Sequence, residues 1–278
     1  MHDPVYVERN GHRTWLKWHR GRRRVADPVF TGQRILEGMA AGASVEVDLV
    51  VTGDKGFAVL HNLELSQETT GRGLVAHTSD SDLRQLQLRA NDGTPIPDRV
   101  MLLDDLCALL AAGNLHPESL LQLDYKEDDS VLDAVALANF AACVGPVAAQ
   151  MIVSGGDARA IDALAAATPG LRHGYDPCYG DSLARLEATG DFAAFAAGAL
   201  TVAPQADLIY LSTEIVLAAD RAGFDITAAM HAAGKRVDAW TIRQVDADTL
   251  AQVERLLALK VDQITTDDPE GLAQALQS

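Results

Sequence analysis

Residues 45–61 read VEVDLVVTGDKGFAVLH, which is two apolar segments joined by a short polar connection. The connection, residues 52–56, has only five residues, and two of them are glycines. A connection this short closes an antiparallel hairpin, because a crossover between parallel strands needs a dozen or more residues. The sequence therefore predicts a strand over residues 45–51 and a second strand, residues 57–61, that runs back beside it.

Strand-like and helix-like segments alternate along the rest of the chain. Apolar runs rich in β-branched residues predict seven further strands, at residues 15–19, 120–126, 151–154, 171–175, 208–211, 237–242 and 263–266. Helical spacing predicts helices at residues 32–41, 131–144, 157–167, 213–222 and 247–258. Strands that alternate with helices are typical of a parallel sheet. Because the hairpin strand is not a barrel strand, eight strands remain, and we predict an α/β protein with a (β/α)8 TIM barrel.

A segment without the alternation separates the hairpin from the third barrel strand. It contains polar turns, Pro95, Pro97 and a predicted helix near residues 102–111. We expect one domain over residues 1–278, with this small insertion at about residues 53–118. An open doubly wound sheet is the alternative, but the segment GRG at residues 71–73 has neither the third glycine nor the preceding strand of a dinucleotide-binding loop.

The composition excludes several classes of protein. The 278 residues carry a net charge of −16, which disfavours binding to nucleic acid or to anionic membranes. The three cysteines form neither a disulfide framework nor a zinc motif. No apolar run approaches the ~18 residues of a membrane span. The polar amino terminus has no signal-peptide core, so we expect a cytoplasmic protein, or a periplasmic or secreted one if a signal peptide has been removed. The oligomeric state is not predicted.

Three carboxylates are predicted to meet inside the barrel, near the carboxyl ends of its strands. Glu46 and Asp48 are two residues apart on one strand, so both side chains face the interior. Asp124 is placed to add a third carboxylate from the neighbouring barrel strand. Interior carboxylates repel one another unless a cation joins them, and oxygen ligands favour hard cations over zinc. The sequence therefore predicts one divalent cation here, either Mg²⁺ or Ca²⁺.

Basic side chains are predicted to surround this cation. His19 and Arg20 follow the first strand, His61 ends the hairpin strand, and Lys126 ends the third barrel strand. Histidine takes up and releases protons near neutral pH, whereas arginine and lysine bind phosphate oxygens. Together with a cation, these groups indicate metal-assisted cleavage of a phosphate ester.

The ordered series of motifs resembles that of the glycerophosphodiester phosphodiesterase family. The matching segments are WHRG (18–21), VEVDL (45–49), VTGDKG (51–56), VLHN (59–62), TTGRG (69–73), LDYK (123–126), AWTI (239–242) and TTDDP (265–269). The resemblance covers residues 15–269. Each motif alone is modest, but their order along the chain is specific.

The resemblance implies a reaction and a role for each site residue. It implies hydrolysis of a small-molecule glycerophosphodiester to glycerol phosphate and an alcohol, with attack by a neighbouring substrate hydroxyl as a plausible first step. The sequence leaves open which histidine is the base. The implied roles are the acid and base pair His19 and His61, the cation ligands Glu46, Asp48 and Asp124, and the substrate contacts Arg20, Lys126 and Trp240.

Four departures from the family pattern bear on specificity. Asn62 replaces the usual aspartate after the second histidine, and Asp124 replaces the usual glutamate. The segment PVFT at residues 28–31 replaces Pro-Glu-Asn-Thr, and Trp18 replaces a small residue. Two alternatives therefore stay open. The same machinery could act on a sugar or lysophospholipid phosphodiester, or the barrel could bind a phosphorylated ligand without catalysis.

Two further features receive structural interpretations from the sequence. Asp267 precedes Pro269 by two residues, so we interpret it as a strand-end or helix-capping residue and not as a ligand. The run RRR at residues 22–24 is interpreted as a solvated loop, or as a local attractor for an anionic substrate.

Overall fold

A computed structural model describes residues 5–277, in which strands and helices alternate along most of the chain. In chain order the strands are β1 (Tyr6–Arg9), β2 (His12–Trp18), β3 (Ser44–Val51), β4 (Phe57–Ala58), β5 (Gln87–Arg89), β6 (Pro95–Arg99), β7 (Leu120–Tyr125), β8 (Met151–Gly155), β9 (Arg172–Tyr175), β10 (Leu208–Ser212), β11 (Arg236–Ile242) and β12 (Gln263–Thr266). The helices are α1 (Gly32–Ala41), α2 (Asp80–Leu83), α3 (Leu103–Ala112), α4 (Ala134–Val144), α5 (Ala158–Ala167), α6 (Ser182–Thr189), α7 (Phe192–Val202), α8 (Thr213–Arg221), α9 (Ile226–Ala232), α10 (Ala247–Ala258) and α11 (Pro269–Ala275).

Eight parallel strands within residues 5–277 close into a barrel, which confirms the predicted fold class. Around the ring the order is β2, β3, β7, β8, β9, β10, β11 and β12. Trp18 lies opposite Val45 and joins β2 to β3, while Trp15 opposite Gln263 joins β2 to β12. β1, which was not predicted, pairs antiparallel with β2.

The predicted hairpin forms, but its second strand is shorter than the sequence indicates. Val51 pairs antiparallel with Phe57, as the short connection requires. The strand then ends at Ala58 and does not continue to His61. The reason is that the next backbone groups bond elsewhere: the N–H of Val59 donates to the carbonyl of Met101 at 2.9 Å.

The helices of the outer ring begin close to where the sequence places them. Residues 32–41 and 247–258 are helical as predicted. The helix predicted from residue 131 begins only at Ala134, because the Asp133 carboxylate caps it by accepting hydrogen bonds from the next turn. Within residues 5–277, every helix is too short or too polar to serve as a membrane span.

The segment between the hairpin and β7 contains the small sheet β5–β6 and also a helix of the outer ring. Leu65, Val75, Leu83 and Leu88 from this segment are buried in the same apolar cluster as the barrel strand β3. α3 contacts both α1 and α4. It therefore occupies the position of the helix between two barrel strands, although the sequence placed it inside the insertion.

The centre of the barrel is polar, whereas branched apolar side chains fill most barrels of this type. The Lys17 ammonium lies 2.8 Å from the Asp238 carboxylate, and these side chains are 1% and 0% exposed. Lys17 also donates to the Gln122 side-chain carbonyl. The hydroxyl of Thr265 donates to Asp238 at 2.7 Å. A network of polar contacts therefore crosses the interior from β2 to β7, β11 and β12.

This ion pair gives a prediction for stability. Lys17→Met leaves the Asp238 carboxylate buried without its cation, so we expect the free energy of unfolding to fall by about 3–5 kcal/mol. The double variant Lys17→Met/Asp238→Leu removes both charges and is expected to regain most of that loss. Urea unfolding followed by circular dichroism measures both. If Lys17→Met unfolded with the same free energy as the wild type, the Lys17–Asp238 pair would not contribute to stability in this way.

Candidate active site

A cavity of about 210 Å³ opens at the carboxyl ends of the barrel strands. Of the predicted site residues, Asp48 lies beneath its surface and is fully buried. The other seven line the cavity: His19, Arg20, Glu46, His61, Asp124, Lys126 and Trp240. The structure thus brings together all of the side chains that the sequence selected, including ones more than 200 positions apart.

Three carboxylates form one cluster, as predicted. Asp48 and Asp124 are directly opposite each other in the β3–β7 pairing, and Glu46 is two residues earlier on β3. One oxygen from each lies within 4.8 Å of the others. Burial raises the pKa of Glu46 well above its usual range, and the charge of Asp48 adds to this. Three carboxylates this close together repel one another and are costly to keep charged when they are buried. Such a set of oxygen ligands fits a hard divalent cation.

Two basic side chains neutralise part of the cluster. Arg20 Nε lies 3.0 Å from Asp48, and Lys126 Nζ lies 2.6 Å from Asp48 while also contacting Asp124. Burial alone would raise the pKa of Asp48, but Lys126 and Arg20 together bring it below its usual range. Burial alone would lower the pKa of Lys126, yet the carboxylates of Asp124 and Asp48 raise it well above its usual range. The Asp48 carboxylate and the Lys126 ammonium therefore both stay charged at neutral pH.

The backbone of Arg20 is in the left-handed region, with φ at +54°. A non-glycine residue holds this conformation only where its surroundings stabilise it. Its N–H donates to Glu46 Oε2 at 2.8 Å, and its carbonyl accepts from Phe30 N at 2.9 Å. The Phe30 side chain is 1% exposed, with its ring centre 5.9 Å from the Arg20 guanidinium. Phe30, one of the departures from the family pattern, therefore supports Arg20 from the core and does not line the cavity mouth.

His19 is held by a carboxylate whose role the sequence did not reveal. His19 Nδ1 lies 2.5 Å from Asp267 Oδ1, and Arg22 contacts the same oxygen. Of the two structural interpretations of Asp267, the strand-end one holds, because the residue directly follows β12. The helix-cap interpretation was wrong, because the next residue, Asp268, caps α11 by accepting from Gly271 N at 2.8 Å. Burial lowers the pKa of His19, and the hydrogen bond to Asp267 opposes that shift only in part.

His61 lies in the loop after β4, and a carboxylate from farther along the chain fixes that loop. Glu68 Oε2 accepts from the N–H groups of His61 and Asn62 at 3.0 and 2.8 Å. Asn62 Oδ1 lies 3.3 Å from His61 Nδ1. A carboxylate thus remains close to His61 although the family's aspartate is replaced. Glu68 was not predicted as a site residue, because no motif or residue spacing in the sequence distinguishes it from other acidic residues.

The three consecutive arginines of residues 22–24 form ion pairs with acidic residues. Arg22 contacts Asp267, and Arg23 lies 2.5 Å from Glu37. Arg24 lies 2.5 Å from Glu270, which also contacts Arg23 at 2.7 Å. The run therefore ties the first loop to α1 and α11, and the interpretation of a solvated loop was incomplete.

The cavity also includes residues that the sequence reasoning did not select, among them Lys17, Asp176 and Tyr210. Asp176 follows β9, and burial raises its pKa to about 7. Its Oδ1 accepts from Cys178 N at 2.8 Å. The rule that functional groups follow barrel strands would have found Asp176, because it comes directly after the strand predicted at residues 171–175.

A barrel with a carboxylate cluster, two basic side chains and two histidines at the carboxyl ends of its strands is typical of one class of protein, the TIM-barrel hydrolases of phosphate esters. The sequence pattern of the glycerophosphoryl diester phosphodiesterase family matches residues 33–271. The chain therefore belongs to this family and is a phosphoric diester hydrolase. A comparison with curated proteins found no significant match.

Solved structures share the fold at low sequence identity. A Silicibacter pomeroyi DSS-3 protein, provisionally named a glycerophosphoryl diester phosphodiesterase, superposes with a TM-score of 0.68 and 20% identity, over 95% of this chain and 92% of that one. A glycerophosphodiester phosphodiesterase from Agrobacterium tumefaciens has a TM-score of 0.64 and 19% identity, over 94% and 99%. An Oleispira antarctica phosphodiesterase, solved with the product sn-glycerol-3-phosphate, has a TM-score of 0.63 and 19% identity, over 95% and 96%.

Proposed function

We propose that this enzyme hydrolyses a small-molecule glycerophosphodiester to a glycerol phosphate and an alcohol, with one divalent cation. The observation that carries the proposal is the meeting of two histidines, two basic side chains and a three-carboxylate cluster at one cavity. Family membership supports the reaction class, and the Oleispira antarctica phosphodiesterase is bound to a glycerol phosphate. The alternatives from the sequence, another phosphodiester or binding without catalysis, are outcomes of the test below.

Glu46, Asp48 and Asp124 are the residues that would hold the cation, and their oxygens suit either Mg²⁺ or Ca²⁺. A cation there supplies Lewis-acid stabilisation of the charge that develops on the phosphate oxygens. Arg20 and Lys126 line the same cavity and are charged, so they would bind the phosphate beside it. Trp240 lines the cavity as well and would form part of its wall around the substrate.

The hydrogen bonds of the site suggest how the two histidines divide the proton transfers. His19 Nδ1 is engaged with Asp267, which leaves Nε2 as the free nitrogen. Because its pKa is lowered by burial, His19 is neutral at pH 7 and can accept a proton there. We assign His19 Nε2 as the base that takes the proton of the attacking group, which is a water or a neighbouring hydroxyl of the substrate, while His61 gives a proton to the oxygen of the leaving alcohol. When the hydroxyl attacks, the first product is a cyclic phosphate. A water then opens it to the glycerol phosphate, with His61 accepting the proton of the water and His19 returning its proton to the glycerol oxygen.

The substrate class is tested with purified protein and a panel of phosphodiesters in Mg²⁺ or Ca²⁺. We expect release of glycerol phosphate from at least one glycerophosphodiester, measured by a coupled dehydrogenase assay. If the protein cleaved only sugar or lysophospholipid phosphodiesters, these would be its substrates and glycerophosphodiesters would not. Binding of glycerol phosphate without any turnover would contradict the proposed activity.

Asp267 is a positioning residue in this account, and Asp267→Asn tests it. We expect kcat to fall roughly 100-fold or more, because His19 loses the partner that fixes its orientation and tautomer. The carboxylate raises the pKa of His19, so its removal lowers that pKa further. The acidic limb of the kcat/KM profile should therefore move to lower pH. Asp268→Asn, which changes only the cap of α11, is the matched control. Unchanged kcat and an unmoved limb would remove Asp267 from the mechanism.

A further inference from the structure

His61 is carried by a loop, whereas the other predicted catalytic histidine, His19, directly follows the barrel strand β2. The short strand β4 ends at Ala58, and residues 59–62 belong to no helix or strand. An acid transfers its proton efficiently only when it is held within hydrogen-bond distance of the accepting oxygen. The position of His61 therefore depends on the contacts that hold this loop.

Glu68 supplies the contacts that hold the loop at His61 itself. One oxygen of its carboxylate, Oε2, accepts from two backbone N–H groups, that of His61 at 3.0 Å and that of Asn62 at 2.8 Å. Hydrogen bonds to an ionised acceptor are stronger than those between neutral groups. Asn62 Oδ1 in turn lies 3.3 Å from His61 Nδ1, so Nδ1 donates to the amide oxygen and Nε2 is left for the substrate. Glu68 and Asn62 together fix the backbone and the ring of His61.

The insertion holds Glu68 in place. Arg89 on β5 donates from its backbone N–H to the Glu68 carbonyl at 2.9 Å, and from Nε to the Thr69 carbonyl at 2.7 Å. Thr69 is buried, and its hydroxyl donates to the carbonyl of Leu65 at 2.7 Å. Leu65 belongs to the apolar cluster that includes β3. The segment around Glu68 is therefore fixed relative to the barrel, as an anchor for the loop requires.

A carboxylate is a costly anchor for this loop. The second oxygen of Glu68, Oε1, is buried, and no group within residues 5–277 forms a hydrogen bond with it. Burying a carboxylate oxygen in this way destabilises the fold, whereas a neutral amide accepts the same two N–H groups without burying a charge. Stability of the loop therefore does not explain the carboxylate, and the stronger hold of a charged acceptor indicates a requirement of the reaction.

We propose that Glu68 is the positioning residue of the acid step, and that it holds His61 at the oxygen of the leaving alcohol as Asp267 holds His19 at the attacking group. The inference rests on the proposed function and adds the residue that makes its acid effective. Glu68 acts through His61, since it is not among the described side chains that line the cavity. No proton passes to or from Glu68: the proton moves from His61 to the leaving oxygen as the P–O bond breaks.

The leaving group distinguishes this role from a structural one. An alkyl alcohol leaves only if its oxygen is protonated, whereas p-nitrophenolate leaves readily without an acid. The assay compares kcat/KM for an alkyl diester that the wild type cleaves, such as sn-glycero-3-phosphoethanolamine, with kcat/KM for the p-nitrophenyl diester of glycerol phosphate. We expect Glu68→Ala to lower kcat/KM about 100-fold for the alkyl diester and less than about 3-fold for the p-nitrophenyl diester. Glu68→Gln keeps an accepting oxygen, so its loss for the alkyl diester should be about 10-fold, and it carries the same comparison if Glu68→Ala does not fold.

Two further variants calibrate the comparison. His61→Ala removes the acid itself, so it should show the same dependence on the leaving group, with a larger loss for the alkyl diester. Glu64→Gln is the matched control, because Glu64 belongs to the same insertion and also accepts from a backbone N–H, that of Ser66 at 2.9 Å. Glu64 is not among the described residues that line the cavity, so kcat/KM should stay unchanged for both diesters.

Three results would overturn the inference. Burial lowers the pKa of Arg20, but nearby carboxylates raise it, and Glu68 is one of them. Equal losses with both leaving groups in Glu68→Ala would therefore assign Glu68 to phosphate binding or to the fold. An unchanged kcat/KM in Glu68→Ala would show that the loop holds His61 without it. Equal losses with both leaving groups in His61→Ala would remove His61 as the acid, and the inference with it. In each case turnover by the wild type would leave the proposed activity standing, whereas a wild type that cleaves no glycerophosphodiester would reject both.

Discussion

His19→Ala is expected to lower kcat/KM by roughly 10³-fold, because it removes the base that the account assigns to the attacking nucleophile. The loss should appear in kcat, since the carboxylate cluster, Arg20 and Lys126 are untouched. Steady-state kinetics with a glycerophosphodiester at saturating Mg²⁺ or Ca²⁺ measures it. Affinity for the cation should stay within a factor of about two, because neither His19 nor its partner Asp267 is in the carboxylate cluster.

The matched control for this variant is His77→Ala. His77 is exposed and lies outside the cavity, so its removal should leave kcat/KM unchanged. Full activity in His19→Ala would show that the assigned proton transfer is wrong, even if the substrate is right. Equal losses in both variants would point to a general effect of substitution and would likewise count against the role of His19.

Glu46→Gln is expected to weaken binding of the divalent cation by roughly 100-fold, because it removes one of three charged oxygen ligands. Glu46 is 4% exposed, and its Oε2 also accepts from the N–H of Arg20, a bond that the Gln side-chain oxygen can still accept. The loss should therefore reflect charge more than local structure. Calorimetric titration with Mg²⁺ and with Ca²⁺ measures the affinity, and raising the cation concentration should restore part of the activity.

Glu118→Gln serves as the control for the cation experiment. Its side chain is 56% exposed and, within residues 5–277, pairs with Arg13 at the surface, so cation affinity should not change. An unchanged affinity in Glu46→Gln would contradict the assignment of the carboxylate cluster. Loss of substrate affinity with normal cation affinity would instead place Glu46 among the substrate contacts.

Connection lengths and strand periodicity were enough to predict the barrel and the side chains that meet at the carboxyl ends of its strands. The five-residue connection after Val51 separated the hairpin from the eight barrel strands, because its length forbids a parallel crossover. The two-residue spacing of Glu46 and Asp48 placed both on the interior face, and the structure brings Asp124 opposite Asp48. Such features follow from strand periodicity alone, so they do not depend on knowing which distant segments meet.

The features that sequence reasoning missed depend on contacts between distant segments. Asp267 and His19 are 248 positions apart, and Lys17 and Asp238 are 221 apart. Neither pair has a spacing signal, because each forms only when the first strand closes against the last two. The shortened strand β4 has the same origin, since Met101 takes the hydrogen bond that would have extended it.

The most direct test of the central claim is a single reaction followed by ³¹P NMR. Purified wild-type protein is mixed with a glycerophosphodiester and Mg²⁺ or Ca²⁺, and EDTA is then added in excess, followed by fresh cation. The account predicts that the diester resonance is replaced by that of a glycerol phosphate, that conversion stops with EDTA, and that it resumes when the cation is restored. Conversion that continues at the same rate in EDTA, or a diester that stays intact with the cation present, would contradict it.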